Sequence, residues 1–263
     1  MCGTCGCGSP DGKAVLRKPS QENSHGSEHE HNHEHVHDHD HNHGHHHHDH
    51  GHHHHAHDHS HSHSHDHHHE ANPRSAVLEV EKNILLQNDM QAARNRGYFE
   101  AKQILTLNLV SSPGSGKTSI LERTLANLKN DISFSVIEGD QQTLQDANRI
   151  DALNIPVIQI NTGKGCHLES DMVFDAVKEL GPDNGSILMI ENVGNLVCPS
   201  MFDLGEKHRV VILSVTEGED KPLKNPDMFH SADICLINKI DLIPHLNFYV
   251  NKIKLYALQV TPN

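Results

Sequence analysis

The chain contains no Trp, and aromatic residues make up only 3% of its 263 positions. Any core it forms must therefore be aliphatic. No apolar run is long enough to span a bilayer, and the first residues lack the charged-then-apolar order of a secretory signal. A cytoplasmic location is expected. Basic residues are scarce, and none lies between Lys18 and Arg74. A formal net charge of −14 without a basic stripe argues against nucleic acid as a partner. Six Cys in a cytosolic chain read as metal ligands, reactive thiols or small buried residues rather than disulfides.

Composition divides the chain into three parts: residues 1–8, 9–73 and 74–263. In the first, Cys2, Cys5 and Cys7 fall within six positions, and the glycines between them let the backbone wrap one centre. Soft thiolates suit Zn, Ni or Cu(I), and the N-terminal amine is near enough to be a fourth ligand. A redox-active thiol pair without metal is the competing reading. The second part carries 26 of the 30 His between His25 and His69, many as H-x-H. Such a tract cannot bury apolar surface and is expected to be disordered. Its neutral imidazoles are ligands for borderline metals, nickel or zinc, in competition with protons. As a coil, residues 8–73 would tether the thiols over roughly 40–50 Å.

The third part reads as one domain. An amphipathic helix is expected over about residues 75–97, with Val77, Val80 and Ile84 on one face, Leu78 and Leu85 beside them, and Gly97 as C-cap. A strand over 104–110 leads into Ser111-Ser112-Pro113-Gly114-Ser115-Gly116-Lys117-Thr118, and a helix runs on to about Leu128. Strand, glycine-rich turn and helix start together point backbone N–H groups at a phosphate. Gly114, Ser115, Gly116, Lys117, Thr118 and Ser119 form this candidate phosphate site. Lys117 is placed for the β- and γ-phosphates, and Thr118 for Mg²⁺. The first position is Ser111 where the usual pattern has Gly.

Further strands are expected at Ile132–Glu138, Val157–Ile160, Ile187–Ile190, Val210–Val215 and Ile234–Asn238, with a last helix over Leu246–Val260. Their near-continuous apolar runs predict parallel strands buried on both faces. The fold class is α/β, a doubly wound, mostly parallel sheet. Ligands gather at the carboxyl ends of such strands, where Asp140 and Glu191 fall; both are candidates for the Mg²⁺ shell, and with Lys117 and Thr118 make the catalytic set. Cys166, His167 and Cys198 fall at the same edge and read as a second metal site for nickel or zinc. Cys235, inside a strand, reads as a packed core residue. Asn238-Lys239-Ile240-Asp241 resembles the guanine-reading NKxD motif of GTPases, in which the Asp241 carboxylate would accept from guanine N1–H and N2–H.

Taken together, CGTCGC, the His-rich insert, NLVSSPGSGKT, VIEGDQQT, NTGKGCHL, ENVGNLVCP, LSVTEGEDKPLK and NKID resemble the hydrogenase nickel-incorporation GTPases, the HypB family. The resemblance implies a P-loop GTPase that helps deliver nickel to [NiFe]-hydrogenase large-subunit precursors, with a HypA-type zinc-binding accessory protein. It implies GTP, Mg²⁺, nickel and zinc as cofactors or cargo. It also implies a tight nickel site at Cys2, Cys5 and Cys7 and a nickel/zinc site at Cys166, His167 and Cys198, here expected to be shared in a GTP-favoured homodimer. A urease-type nickel GTPase and a nickel/zinc storage protein with an inert GTPase domain are the alternatives. Family members carry a further strand after the last helix, whereas this sequence stops at Thr261-Pro262-Asn263. The sheet is thus expected to lack that strand and to leave the last helix partly uncovered.

Overall fold

The computed structural model describes residues 14–19, 73–141 and 143–261, with side chains in the first helix from residue 79 onward. Cys2, Cys5, Cys7 and the tract His25 to His69 lie outside the described residues. The elements, in order, are β1 (Val15–Arg17), α1 (Pro73–Ala101), β2 (Leu105–Ser111), α2 (Lys117–Leu128), β3 (Phe134–Asp140), α3 (Gln145–Asp151) and β4 (Val157–Asn161). They continue with α4 (Ser170–Leu180), β5 (Ile187–Glu191), β6 (His208–Ser214), α5 (Lys221–Lys224), α6 (Pro226–Ser231), β7 (Ile234–Asn238) and α7 (Val250–Val260). The seven strands form one sheet in the order β1-β4-β3-β5-β2-β6-β7, parallel except for β1.

Side-chain alternation along the central strands fills both faces with aliphatic groups. Ile137, Ile158, Leu188 and Ile190 pack with Val173 and Val177 of α4 and Phe99 of α1. Val136, Val157, Met189 and Ile212 pack with Leu121 and Leu125 of α2 and with Ala147 and Ile150 of α3. Helices on both faces of a mostly parallel sheet are the doubly wound, P-loop GTPase-type arrangement expected from the sequence. Among the described residues, no helix is long and apolar enough to cross a membrane.

Four local expectations require correction. The first concerns α1, which extends to Ala101 and passes through Gly97 without ending there; the left-handed turn falls at Gln103, with φ 57°. Its buried positions are Asn88, Ala92, Asn95 and Phe99, whereas Val80 and Ile84 are exposed. The spacing is helical, but two of the four anchors are Asn. Asn95 Nδ2 donates to the carbonyls of Ser170 (2.7 Å) and Leu204 (3.0 Å), and Asn88 Nδ2 to that of Asp203 (2.8 Å). Buried amides can anchor a helix as methyl groups do, provided their hydrogen bonds are made.

The second correction is β7. Ile234, Cys235 and Leu236 are exposed, since among the described residues β7 pairs with β6 alone. Cys235 is therefore not a core residue. Leu255 and Leu258 of α7 are exposed as well.

The third is α7 itself, which begins at Val250 rather than Leu246, after a 3₁₀ segment over Ile240–His245.

The fourth is β1. Val15–Arg17 lies within the stretch expected to be disordered, yet it pairs antiparallel with β4, matching Val15 to Asn161 and Arg17 to Gln159. Ala14 and Leu16 pack against the α4 side of the core, and Lys18 Nζ lies 3.2 Å from Glu179 Oε1. The expected single tether over residues 8–73 is thus interrupted by an anchored strand.

Candidate nucleotide and metal sites

Two loops at the carboxyl edge of the sheet carry most of the candidate site residues. The first leaves β2 and enters α2 at Lys117. Gly114 and Gly116 hold φ of 74° and 97°, which side chains with a Cβ rarely adopt. At Gly116 a Cβ would also collide with the Asn238 amide. That contact is functional in form: Asn238 Nδ2 donates to Ser115 O at 2.7 Å, and Lys239 Nζ donates to Gly114 O at 2.7 Å. The end of β7 therefore holds the phosphate loop by its carbonyls, while within the loop Ser115 N donates to Ser112 O (3.3 Å). Asp241, exposed in the following 3₁₀ segment, stands beyond this brace. From the other side, Ser115 Oγ donates to Glu217 Oε1 (2.6 Å), which also accepts from Ser214 N (2.9 Å). Burial pushes the Glu217 carboxyl up, but hydrogen bonds from Ser112, Ser115, Ser214 and Lys221 outweigh it and hold it below its ordinary value.

Lys117 and Thr118 are both buried and both face Glu191. Thr118 Oγ1 donates to Glu191 Oε1 at 2.7 Å, and Lys117 Nζ lies 4.0 Å from the same oxygen. Ser119 follows on the exposed side of α2. Asp140 does not join this group. Its oxygens accept from Gln141 N, Thr143 N and Thr143 Oγ1, closing the turn after β3. Glu138, two residues earlier, takes its place as register partner of Glu191 across β3 and β5. Burial, and then the Glu191 charge beside it, push the Glu138 carboxyl well above its ordinary value. Burial also raises Glu191, against the opposing pull of Lys117 and Thr118. With both groups ionised, Glu138 Oε1 and Glu191 Oε2 have no protein donor, and a proton on Glu138 lets the two carboxyls share a hydrogen bond. The Thr118 hydroxyl and the two carboxyls form an all-oxygen donor set, which fits a hard cation such as Mg²⁺ that would displace the shared proton. Glu138 went unassigned because it sits inside an apolar strand, although a buried carboxylate there is itself a signal.

The second loop runs from β4 to α4 and carries Cys166 and His167; Cys198 opens the 3₁₀ segment Cys198–Ser200 after β5. The two sulfurs are 2.9 Å apart, His167 Nδ1 is 3.7 Å from Cys166 Sγ, and the three donor atoms lie within 4.8 Å of one another. The expected trio is thus assembled. His167 is buried and stacked on Phe202, with ring centroids 4.0 Å apart, and its Nε2 faces Glu169 Oε1 at 3.5 Å. The stack on Phe202 fixes the plane of the ring, and Glu169, near Nε2 without a hydrogen bond in the metal-free site, is the group placed to orient it; neither carries a sequence signal. Asn195 Nδ2 donates to Cys166 O (3.4 Å), and Asn192 Oδ1 accepts from both Leu168 N (3.3 Å) and Val193 N (2.9 Å). These Asn residues tie the β5 loop to the metal loop.

The sequence matches the family described as "CobW/HypB/UreG, nucleotide-binding domain" over residues 105–263. It is 60% identical over 186 residues to the hydrogenase maturation factor HypB of Rhizobium leguminosarum bv. viciae, an alignment covering 71% of this chain and 62% of that protein. It is 45% identical over 181 residues to the hydrogenase/urease maturation factor HypB of Helicobacter pylori (strain J99), covering 67% of this chain and 74% of that one. The crystal structure of Helicobacter pylori HypB in complex with nickel superposes with a TM-score of 0.62 at 44% identity, covering 67% of this chain and 83% of that one. The chain thus spans less than two thirds of the length of its Rhizobium relative. Matched across the phosphate loop, the carboxyl-edge loops and strands β2 to β7, it belongs to the HypB hydrogenase maturation factors within the CobW/HypB/UreG nucleotide-binding family.

Proposed function

We propose that the protein is a GTP-hydrolysing nickel metallochaperone that assists nickel insertion into [NiFe]-hydrogenase precursors. The observation that carries this reading is the contact between its two sites. Gly194, four residues before Cys198, lies against Pro113 of the phosphate loop, where a Cβ would meet Pro113 N, Cα and Cγ at 3.2–3.3 Å. A shift of the phosphate loop is therefore transmitted to Cys198. Lys117 binds the β- and γ-phosphates, the loop N–H groups cradle them, and Asp241 selects guanine. Mg²⁺ held by Thr118, Glu191 and Glu138 would neutralise phosphate charge. Turnover is expected to be slow, because no motif in the sequence marks a Gln or Arg for attack on the γ-phosphate.

Cys166, His167 and Cys198 supply three ligands, whereas tetrahedral zinc and square-planar nickel take four. A second copy is the natural source, so GTP favours a dimer that shares the metal and GDP loosens it. A HypA-type accessory protein and the hydrogenase large-subunit precursor are the partners this role requires. The test measures GTP turnover by the full chain, then nickel affinity with GDP and with a slow GTP analogue, for the parent and for Cys198→Ala. Nucleotide-dependent affinity that Cys198→Ala abolishes is expected, and linkage demands an equal effect of nickel on GTP-versus-GDP preference. Equal affinities in both nucleotide states would overturn the coupling. Nickel uptake without turnover would favour the storage reading, to which the His-rich stretch lends weight.

A further inference from the structure

Ser115 is held at every polar atom. Its N donates to Ser112 O (3.3 Å), its O accepts from Asn238 Nδ2 (2.7 Å), and its Oγ faces both Ser112 O (2.9 Å) and Glu217 Oε1 (2.6 Å). The hydroxyl has one proton to give, and the carboxylate is the closer and the charged acceptor. The Ser112 side chain donates to Glu217 as well. One carboxylate thus spans the arch Ser112-Pro113-Gly114-Ser115 from end to end. Glu217 is itself fixed: Ser214 N donates to its Oε1 (2.9 Å), and Lys221 Nζ lies 3.1 Å from its Oε2. Further along the same segment, Glu219 accepts from Tyr249 N (2.7 Å) and Lys252 Nζ (3.2 Å), which ties the segment to the start of α7. Capping the 3₁₀ segment Val215–Glu217 accounts for the Ser214 contact but not for the two serines. An ionised carboxylate beside a phosphate loop also opposes the charge of the phosphates. Its presence calls for a role in what it holds.

We infer that Glu217 is a positioning residue for nucleotide binding, whose carboxylate clamps Ser112 and Ser115 and so presets the phosphate loop before the nucleotide arrives. The inference rests on the proposed reading of this loop as the GTP site. A loop with glycines at 114 and 116 has much backbone freedom to lose on binding a ligand. A clamp that removes this freedom in the empty protein spares the nucleotide that cost. Because the clamp acts on the arch and not on the base, GTP and GDP gain from it alike.

The test titrates the full chain with GDP and with a slow GTP analogue in Mg²⁺, and melts it without nucleotide. Glu217→Ala should weaken both nucleotides about tenfold. Ser112→Ala combined with Ser115→Ala removes the clamp from its other end and should cost the same. Adding Glu217→Ala to that pair should cost no more than about a further twofold, since all three residues act as one unit. Ser214→Ala is the control for capping. It deletes the hydroxyl that accepts from Thr216 N (3.3 Å) and leaves both serines on Glu217. It should lower the melting temperature while nucleotide affinity stays at the parent value. If Glu217 only caps the turn, Glu217→Ala will lower the melting temperature in the same way and keep its affinity within about twofold of the parent, and the clamp is overturned. Losses that add in the triple variant overturn it too. Should Glu217→Ala not fold, the serine pair decides alone, and parent-like affinity there overturns the clamp. A parent chain that binds neither nucleotide is a separate result: the proposed function fails, and the clamp with it.

Discussion

Gly194, on the loop after β5, stands so close to Pro113 of the phosphate loop that a Cβ at position 194 would meet Pro113 Cα, Cγ and N at 3.2–3.3 Å. Gly194→Ala should therefore force Pro113 to give by a few tenths of an ångström. Overpacking of this kind costs about 1–3 kcal/mol. The expected outcome is a lowered melting temperature and a smaller difference between nickel affinities in GDP and in a GTP analogue. An unchanged difference would show that the contact does not transmit the nucleotide state.

Glu138 gives a pH dependence. Its folded-state carboxyl titrates well above the unfolded value because it is buried beside Glu191. Between those two values the folded chain holds the extra proton, so stability without nucleotide falls as pH rises through that window. Glu138→Gln should flatten this slope and raise the apo melting temperature at neutral pH, while weakening Mg²⁺-dependent GTP binding. Melting curves from pH 4.5 to 8, with and without Mg·GTP, check both effects.

Asp241→Asn should weaken GTP binding and improve binding of xanthosine triphosphate, since an amide can donate to a 2-oxo group. Asn238→Ala should instead weaken both nucleotides alike, because it frees Ser115 O rather than altering base recognition. The loss expected is about 1–2 kcal/mol, or roughly tenfold in affinity. Competition titration with the two nucleotides separates the roles.

Glu169→Gln should lower nickel affinity at Cys166, His167 and Cys198 by about tenfold, as loss of a group that orients a ligating His commonly does. GTP affinity should be unaffected in the absence of metal. A nickel affinity equal to that of the parent chain would show that Phe202 alone orients the ring.

Asn95→Ala should destabilise the domain by about 1–3 kcal/mol, because it leaves the carbonyls of Ser170 and Leu204 without their donor. Chemical denaturation measures it.

That last residue marks where sequence reasoning stopped. The strands were legible because long aliphatic runs admit few other readings, and the phosphate loop because glycine spacing is dictated by φ. Helix α1 was not, since pattern reading looks for methyl groups while Asn88 and Asn95 do the anchoring. Glu138 escaped for the converse reason: a carboxylate inside an apolar strand was counted with the strand. Phe202 and Glu169 have no sequence signal of proximity to His167; only the fold brings them there. Strand β1, three residues in a polar neighbourhood, was too short to show a period.

The placement of β1 also changes what kind of segment the His-rich stretch is. Bounded by β1 on one side and α1 on the other, it is an insertion between two points fixed to the domain rather than a free arm. Closing a longer loop costs only about 0.6 kcal/mol for each doubling of its length. Its histidines can therefore be multiplied or lost with little effect on folding. On the proposed metal-binding reading, capacity is set by the length of this insertion while the sheet and the sites at its carboxyl edge stay the same.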